Sequence, residues 1–565
     1  MPSELRFEKL FSPFQLGELE LKNRIVMPSM STGLTTDEGY VSEKLLDYFE
    51  ERARGGAGLI IVGYACVEYP RGNTSPHKIS IDDDKFIPGL QLLAGIIKKN
   101  GARVAIQLNH AGGFALASET GLQSVGSSPV ICRRYGDIPR ELTITEIQDM
   151  VVRFTKGAER AVKAGFEAIE VHAATNYLIN QFLSQATNKR TDAYGGNLKN
   201  RSRFLMEIVS SLKEVVGTDY PLWVKVNATE FGLPSGINLE DAKELVKMLQ
   251  NAGCCAINVS SEGRVYRFSK MNQPAGTDVP LAGAIKKVLK IPVIAMGRMT
   301  PDIAERTLQE GKADLVAVGR ALLADPELPN KVASGRLDDI VPCLSCSVCS
   351  GVPPQRCTVN ANFGREREYR IKPTGKPKNI VVVGGGPAGM EAARVAALRG
   401  HNVTLYTEKT QLGGRLRMAS KIPGHVRYAD LTSYLANQVR KAGVKVELGK
   451  KVTVDLIDTI RPDAVIVATG SRLSWLGWLT AGLISILGWR QIRDTGGRRS
   501  LRRTGGEKRD NMGVHTVFLM AAQPNQALVR GLGGKVPEVY HAGDCTDPFG
   551  IMQAIADGAH FGRIV

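Results

Sequence analysis

Four cysteines fall close together: Cys343, Cys346 and Cys349 in CxxCxxC spacing, then seven residues, then Cys357. Thiolates this close on one loop can wrap a single metal centre, the fourth closing a tetrahedron around zinc or the last corner of an iron–sulfur cubane. A second signature is Gly297 with Arg298 and Gly319 with Arg320, each a glycine followed by arginine just after a short apolar run. Glycine lets a backbone N–H approach an anion and arginine adds a charged fork, so the two pairs together make a phosphate site. The third is Gly384, Gly386 and Gly389 in GxGxxG spacing after an apolar run at 380–383, with the acid Glu408 about where ribose recognition requires one. That combination reads as dinucleotide binding.

These groups need elements to hold them. Short β-branched runs at 24–27, 59–63, 103–108, 168–172, 222–227, 256–260, 293–296 and 315–319 alternate with helix-like stretches such as 44–54, 144–164, 200–216 and 239–252. Eight strands, each followed by a crossover, predict a parallel sheet closed as a (β/α)8 TIM barrel over residues 1–340. In that architecture active sites form at the carboxyl ends of the strands, and polar residues gather there at 28–31, 107–110, 172–177 and 225–227. The fold class is therefore α/β: a barrel, a cysteine segment with a basic linker at 341–378, and a Rossmann-like domain whose first part is 379–472 and whose closing part is 524–565.

The runs NRIVMPSM, QLNHAG (107–112), EVHAATNYLINQFLSQATNKRTDAYGG (170–196) and NRSRF (200–204), with the two glycine–arginine turns, resemble the Old Yellow Enzyme family of FMN-dependent barrels. The resemblance implies FMN held by Pro28, Ser29, Met30, Gly63, Gln107, Lys225, Gly297, Arg298, Gly319 and Arg320. By the family pattern His172 binds an acceptor carbonyl oxygen and Tyr177 delivers a proton to the α-carbon as hydride adds at the β-carbon. Where many members carry His or Asn three residues after the first His, this chain has Thr175 followed by Asn176. Lys225 replaces the arginine common in relatives, keeping the charge and losing the planar fork.

Flavin on the barrel favours a [4Fe–4S] cluster over zinc at Cys343, Cys346, Cys349 and Cys357, as in the iron–sulfur branch of 2,4-dienoyl-CoA reductase, enoate reductase and trimethylamine dehydrogenase. The glycine motif, LGGRL (412–416), VIVATG (465–470) and VYHAGDC (539–545) resemble the two-dinucleotide-binding flavoproteins. That implies FAD, with Glu408 on the adenosine ribose, Arg415 beside it and Asp544 near the ribityl chain. Members of that group carry an inserted NAD(P)H lobe of about 100 residues or more at roughly 30 per βαβ unit. Between Gly470 and Gly543 there is no second GxGxxG, and residues 473–523 hold Trp475, Trp478, Trp489 and a basic, glycine-rich stretch instead. The expectation is an incomplete NAD(P)H lobe, with the basic run as a docking site for an acidic electron donor as the competing reading.

The expected reaction is electron flow from NAD(P)H or another donor through FAD and the cluster to FMN, then hydride to an activated C=C bond of an unsaturated carbonyl or thioester. The alternatives are amine dehydrogenation of the trimethylamine dehydrogenase type and a non-catalytic flavoprotein remnant. Against amine chemistry, Met30 lies where trimethylamine dehydrogenase carries the cysteine that bonds FMN. Arg264, Tyr266 and Arg267 stand where the dienoyl-CoA reductase pattern has a histidine, and arginines suit coenzyme A phosphates.

Composition sets the outer limits. The 565 residues are 43% hydrophobic and 23% charged, which excludes disorder and a polytopic membrane protein. The net charge of +17 is spread out apart from the basic run, so no nucleic-acid partner is expected. The amino terminus has no signal-peptide pattern, which predicts a cytoplasmic protein with no membrane partner and no disulfides. An electron-donor protein and a homo-oligomer are the macromolecular partners left open.

Overall fold

The computed structural model describes residues 7–132, 136–263, 274–350, 356–421, 425–473, 522–546 and 550–565. They form two compact units, Met1–Arg356 with Asn362–Glu368, and Cys357–Ala361 with Tyr369–Val565.

In the first unit, eight parallel strands close on themselves: β1 (Ile25–Met27), β2 (Leu59–Cys66), β3 (Arg103–Asn109), β4 (Ala168–Ala173), β5 (Leu222–Phe231), β6 (Ala256–Gly263), β7 (Val293–Ala295) and β8 (Leu315–Ala317). β8 pairs with β1, and β1 with β2, which completes the barrel read from the sequence. Three strands run three residues or more beyond the apolar runs: β2, β5 and β6, the last ending at Gly263 rather than 260. In β2 the register shifts between Val62 and Ala65, where Gly63 sits at φ +127, so the strand bulges and resumes to Cys66. In β5 a shift between Asn227 and Glu230 carries the strand on to Phe231. Such bulges re-aim side chains at a strand end, where a barrel keeps its site.

The crossover helices follow the amphipathic pattern. Ile144–Lys163 starts with Thr143 and Glu146 in a reciprocal capping box and buries Ile147, Met150, Phe154, Ala158 and Ala161 along one stripe. The barrel interior packs Val26, Leu59, Ala105, Ala168, Trp223, Ile294 and Leu315 against Leu16, Leu19 and Leu21 of the antiparallel hairpin Phe14–Leu16 and Leu19–Leu21. That apolar plug leaves the other end of the barrel to polar groups.

The second unit has a five-stranded parallel sheet: β9 (Asn379–Val383), β10 (Asn402–Thr407), β11 (Lys445–Leu448), β12 (Ala464–Val467) and β13 (Glu538–His541), in the order β11-β10-β9-β12-β13. Ser471–Leu473 and Ala522–Pro524 pair antiparallel, bringing together the two ends of the atypical stretch. Residues 474–521, with Trp475, Trp478 and Trp489, lie outside the described residues, as do Arg264, Tyr266 and Arg267. No helix among the described residues is long and apolar enough to cross a membrane.

Candidate active site

At the carboxyl ends of the barrel strands, the residues expected around FMN converge. A Cβ built on Gly319 would lie 3.2 Å from Met30 Sδ and 3.4 Å from Pro28 Cγ, so the chain after β8 passes close against the residues that follow β1, and a side chain there would have to shift Met30. One built on Gly63 would lie 3.1 Å from the Gln107 carbonyl oxygen and 3.5 Å from Ser29 Oγ. At Gly63 and Gly297 (φ +114) the backbone takes conformations that side chains rarely adopt, and Arg298 follows in the left-handed region at φ +53. These close backbone approaches form a cradle that fits a flat, phosphorylated cofactor.

Gln107 is buried, and its Nε2 donates to Glu170 Oε1 at 2.5 Å from the neighbouring strand β4. Glu170 Oε2 accepts from Trp223 Nε1 and from Asn258 Nδ2, both at 2.7 Å. An indole N–H can only donate, so the carboxylate is an acceptor and the amide of Gln107 is turned with Nε2 toward it. Gln107 Oε1 is thereby aimed away, as an acceptor. The sequence reading missed Glu170; its signal was a carboxylate alternating with apolar residues in a strand that should be wholly buried.

His172, near the end of β4, is buried beside Lys225 on β5, its register partner. Burial first, and the Lys225 charge second, hold the imidazole well below its usual pKa. Nδ1 accepts from the Ala174 N–H at 3.2 Å, so the neutral ring carries its proton on Nε2 as a donor. The Tyr177 ring stands edge-on to His172 at 5.0 Å, to Phe114 at 5.4 Å and to Tyr64 at 5.5 Å. Thr175 and Asn176 both lie in the left-handed region, φ 61 and 56. Asn176 N–H donates to Asn180 Oδ1 and its carbonyl accepts from Gln181 Nε2, so the strained turn is held from the following helix, Leu178–Leu183. Among the described residues neither Thr175 nor Asn176 offers a side-chain hydrogen bond.

Arg320 opens the helix Arg320–Ala324, and its Nη1 reaches Ser347 Oγ at 3.5 Å on the cysteine loop. In that loop Ser345 and Ser347 take left-handed conformations, and the Ser345 N–H donates to Cys343 Sγ at 3.4 Å. Burial first, with Cys343 and Cys346 adding to it, pushes the Cys349 thiol up to about 11. No three His, Cys, Asp or Glu side chains among the described residues converge tightly enough to enclose an ion. The donor chemistry, soft thiols with an N–H on sulfur, fits an iron–sulfur centre. Cys357 groups with the second unit.

In that second unit β9 runs into Gly384, whose Cβ would fall 2.1 Å from the Ala468 carbonyl, while nothing lies within 4 Å of one on Gly386. The open space at Gly386, directly before the helix Pro387–Leu398, fits a pyrophosphate. A side chain at Gly389 would strike the Gly384 carbonyl. Glu408 follows β10 and is exposed beside Lys409. Arg415 pairs with Asp544 at 3.6 Å and hydrogen-bonds Ser471 Oγ, which brings the LGGRL and GD motifs together.

Residues 9–339 match the NADH:flavin oxidoreductase / NADH oxidase family and residues 378–495 the pyridine nucleotide-disulphide oxidoreductase family. An NADH oxidase from Thermoanaerobacter brockii is 44% identical over 479 residues, 82% of this chain and 73% of the relative. A cinnamate reductase from Clostridium sporogenes is 34% identical over 500 residues, 82% of this chain and 74% of the relative. Among solved structures, a 2-naphthoyl-CoA reductase in complex with 2-naphthoyl-CoA superposes with a TM-score of 0.88 at 27% identity, over 99% of this chain and 100% of that one. The closed barrel with its glycine-lined cradle, the Rossmann-like sheet and these matches agree: the chain is an oxidoreductase and belongs to the NADH:flavin oxidoreductase / NADH oxidase family.

Proposed function

We propose that this oxidoreductase reduces an activated carbon–carbon double bond, of 2-enoate or 2,4-dienoyl-CoA type. When bound, FMN supplies the hydride, and FAD with a [4Fe–4S] cluster supplies the electrons that renew it, from NAD(P)H or another donor. Pro28, Ser29, Met30, Gly63, Gln107, Lys225, Gly297, Arg298, Gly319 and Arg320 hold FMN; Gly384, Gly386, Gly389, Glu408, Arg415 and Asp544 hold FAD; and Cys343, Cys346, Cys349 and Cys357 ligate the cluster. Lys225 would supply a positive charge to the anion of a bound, reduced flavin.

The observation that carries the reading is the neutral His172 ring with Tyr177 edge-on to it at 5.0 Å. His172 Nε2–H donates to the substrate carbonyl oxygen and so draws electron density from the β-carbon. Tyr177 holds a phenolic proton for the α-carbon, and Phe114 and Tyr64 pack around its ring to keep water away. The left-handed turn at Thr175 and Asn176 sets the approach of Tyr177 to the site.

Dithionite-reduced protein incubated anaerobically with a panel of enoates, enones and enoyl thioesters tests the reading. Saturated product from at least one class is the expected result; an unchanged panel contradicts it.

A further inference from the structure

Beside the FMN cradle lies a pocket lined by Met30, Thr35, Gly63, Tyr64, His77 and Lys78. Lys78 is only 6% exposed, and its ammonium makes one hydrogen bond, to Ser31 Oγ at 2.5 Å. No carboxylate pairs with it among the described residues; Asp37 is exposed and turned to His77 Nδ1 at 3.1 Å. Thr35 is also buried, and its hydroxyl has no hydrogen-bond partner. A buried ammonium with one neutral partner is costly to keep, as is a buried hydroxyl with none. Both residues line this one pocket, and an anion bound in it would supply the missing acceptor. The Tyr64 hydroxyl is taken up by Thr74 at 2.7 Å, but its ring faces Tyr177 at 5.5 Å, so the pocket adjoins the proton donor.

We infer that Lys78, with Ser31 and Thr35, binds the carboxylate of the substrate, which makes the substrate of the proposed double-bond reduction a free unsaturated acid. The inference rests on that reading and narrows it. Burial, with no anion bound, pushes the Lys78 ammonium down to about 8, consistent with a site that awaits a counter-charge. Met30, Gly63 and Tyr64 line the same pocket, and the Tyr64 ring stands edge-on to Tyr177, so an acid anchored here lies on the side of the proton donor and of the residues expected to hold FMN.

The test is a titration of oxidised holoenzyme with 3-phenylpropanoate, a saturated acid that cannot be reduced, and with its methyl ester, followed by the flavin difference spectrum. The wild type is expected to bind the acid more tightly than the ester. Lys78→Met weakens the acid by about ten- to hundredfold, the range of a lost charge-assisted hydrogen bond, and leaves the ester within about twofold. Lys78→Gln gives the same pattern if the methionine variant does not fold. Equal affinity for acid and ester in the wild type overturns the inference. So does an equal loss for both ligands, or release of FMN from either variant, which would make Lys78 a flavin residue. Because the titration needs no turnover, it stands apart from the reduction assay: acid binding without any double-bond reduction contradicts the proposed reaction and not this site.

Discussion

Gln107 and Glu170 face each other across β3 and β4, the amide Nε2 2.5 Å from the carboxylate, and that single bond decides which end of the amide points into the barrel mouth. Glu170 is fully buried with three donors around it, Gln107, Trp223 and Asn258, and of these Gln107 is the one expected to touch FMN. Glu170→Gln removes the charge, leaves the Gln107 amide free to turn over, and is expected to cost about 1–3 kcal/mol of stability. It also lowers FMN retention on gel filtration. Unchanged FMN content together with an unchanged flavin potential would contradict a positioning role.

His172 gives a pH dependence with a defined sign. Its folded pKa lies well below 6.5, so below about pH 6.5 the unfolded chain takes up a proton that the folded one does not. Stability therefore falls as the pH drops from about 6.5 toward the folded value, by up to about 1.4 kcal/mol per pH unit, and is unaffected by this group above that window. Urea melts of the wild type and of His172→Gln between pH 5 and 8 check it: the variant loses this part of the acid slope.

Arg52 and Glu366 form a buried ion pair at 3.0 Å, with the guanidinium 3.6 Å from the Tyr48 ring centre. The pair ties residues Asn362–Glu368 to the helix Glu43–Arg54 within the barrel unit. Removing one partner leaves a buried charge, so Arg52→Ala and Glu366→Ala are each expected to cost about 3–5 kcal/mol, and Arg52→Met with Glu366→Leu to recover most of it. Denaturant unfolding of the three variants measures this directly.

The cysteine loop makes a compositional prediction. Anaerobically purified protein should hold about four iron atoms per chain. Cys349→Ser should lose most of them, and Cys254→Ser, at a buried cysteine elsewhere in the barrel, should keep them. Iron analysis with the visible spectrum distinguishes the outcomes, and zinc in place of iron would overturn the assignment.

The barrel was legible because each strand is a short apolar run bounded by polar residues, and burial on both faces of a parallel sheet demands that pattern. The extension of β2 to Cys66 was not, since the glycine at the bulge, Gly63, interrupts the β-branched run that marks the strand. His172 and Tyr177 were singled out by motif, and the fold places their rings edge-on at 5.0 Å. Glu170 and Lys78 were missed for a common reason: a lone charge in an apolar stretch or a loop has no spacing rule, and only the fold reveals that each is buried. The role of Glu366 was hidden likewise, because its partner Arg52 lies far away in sequence.

Tyr177 offers the most direct test of the account. Reduced protein is mixed anaerobically with an activated alkene, and the return of oxidised-flavin absorbance is timed for wild type and for Tyr177→Phe. The wild type is expected to reoxidise and yield saturated product, with the variant slower by about 10²–10⁴-fold while still accepting electrons from dithionite. Reoxidation of the variant at the wild-type rate, or a wild type that no alkene reoxidises, would contradict it.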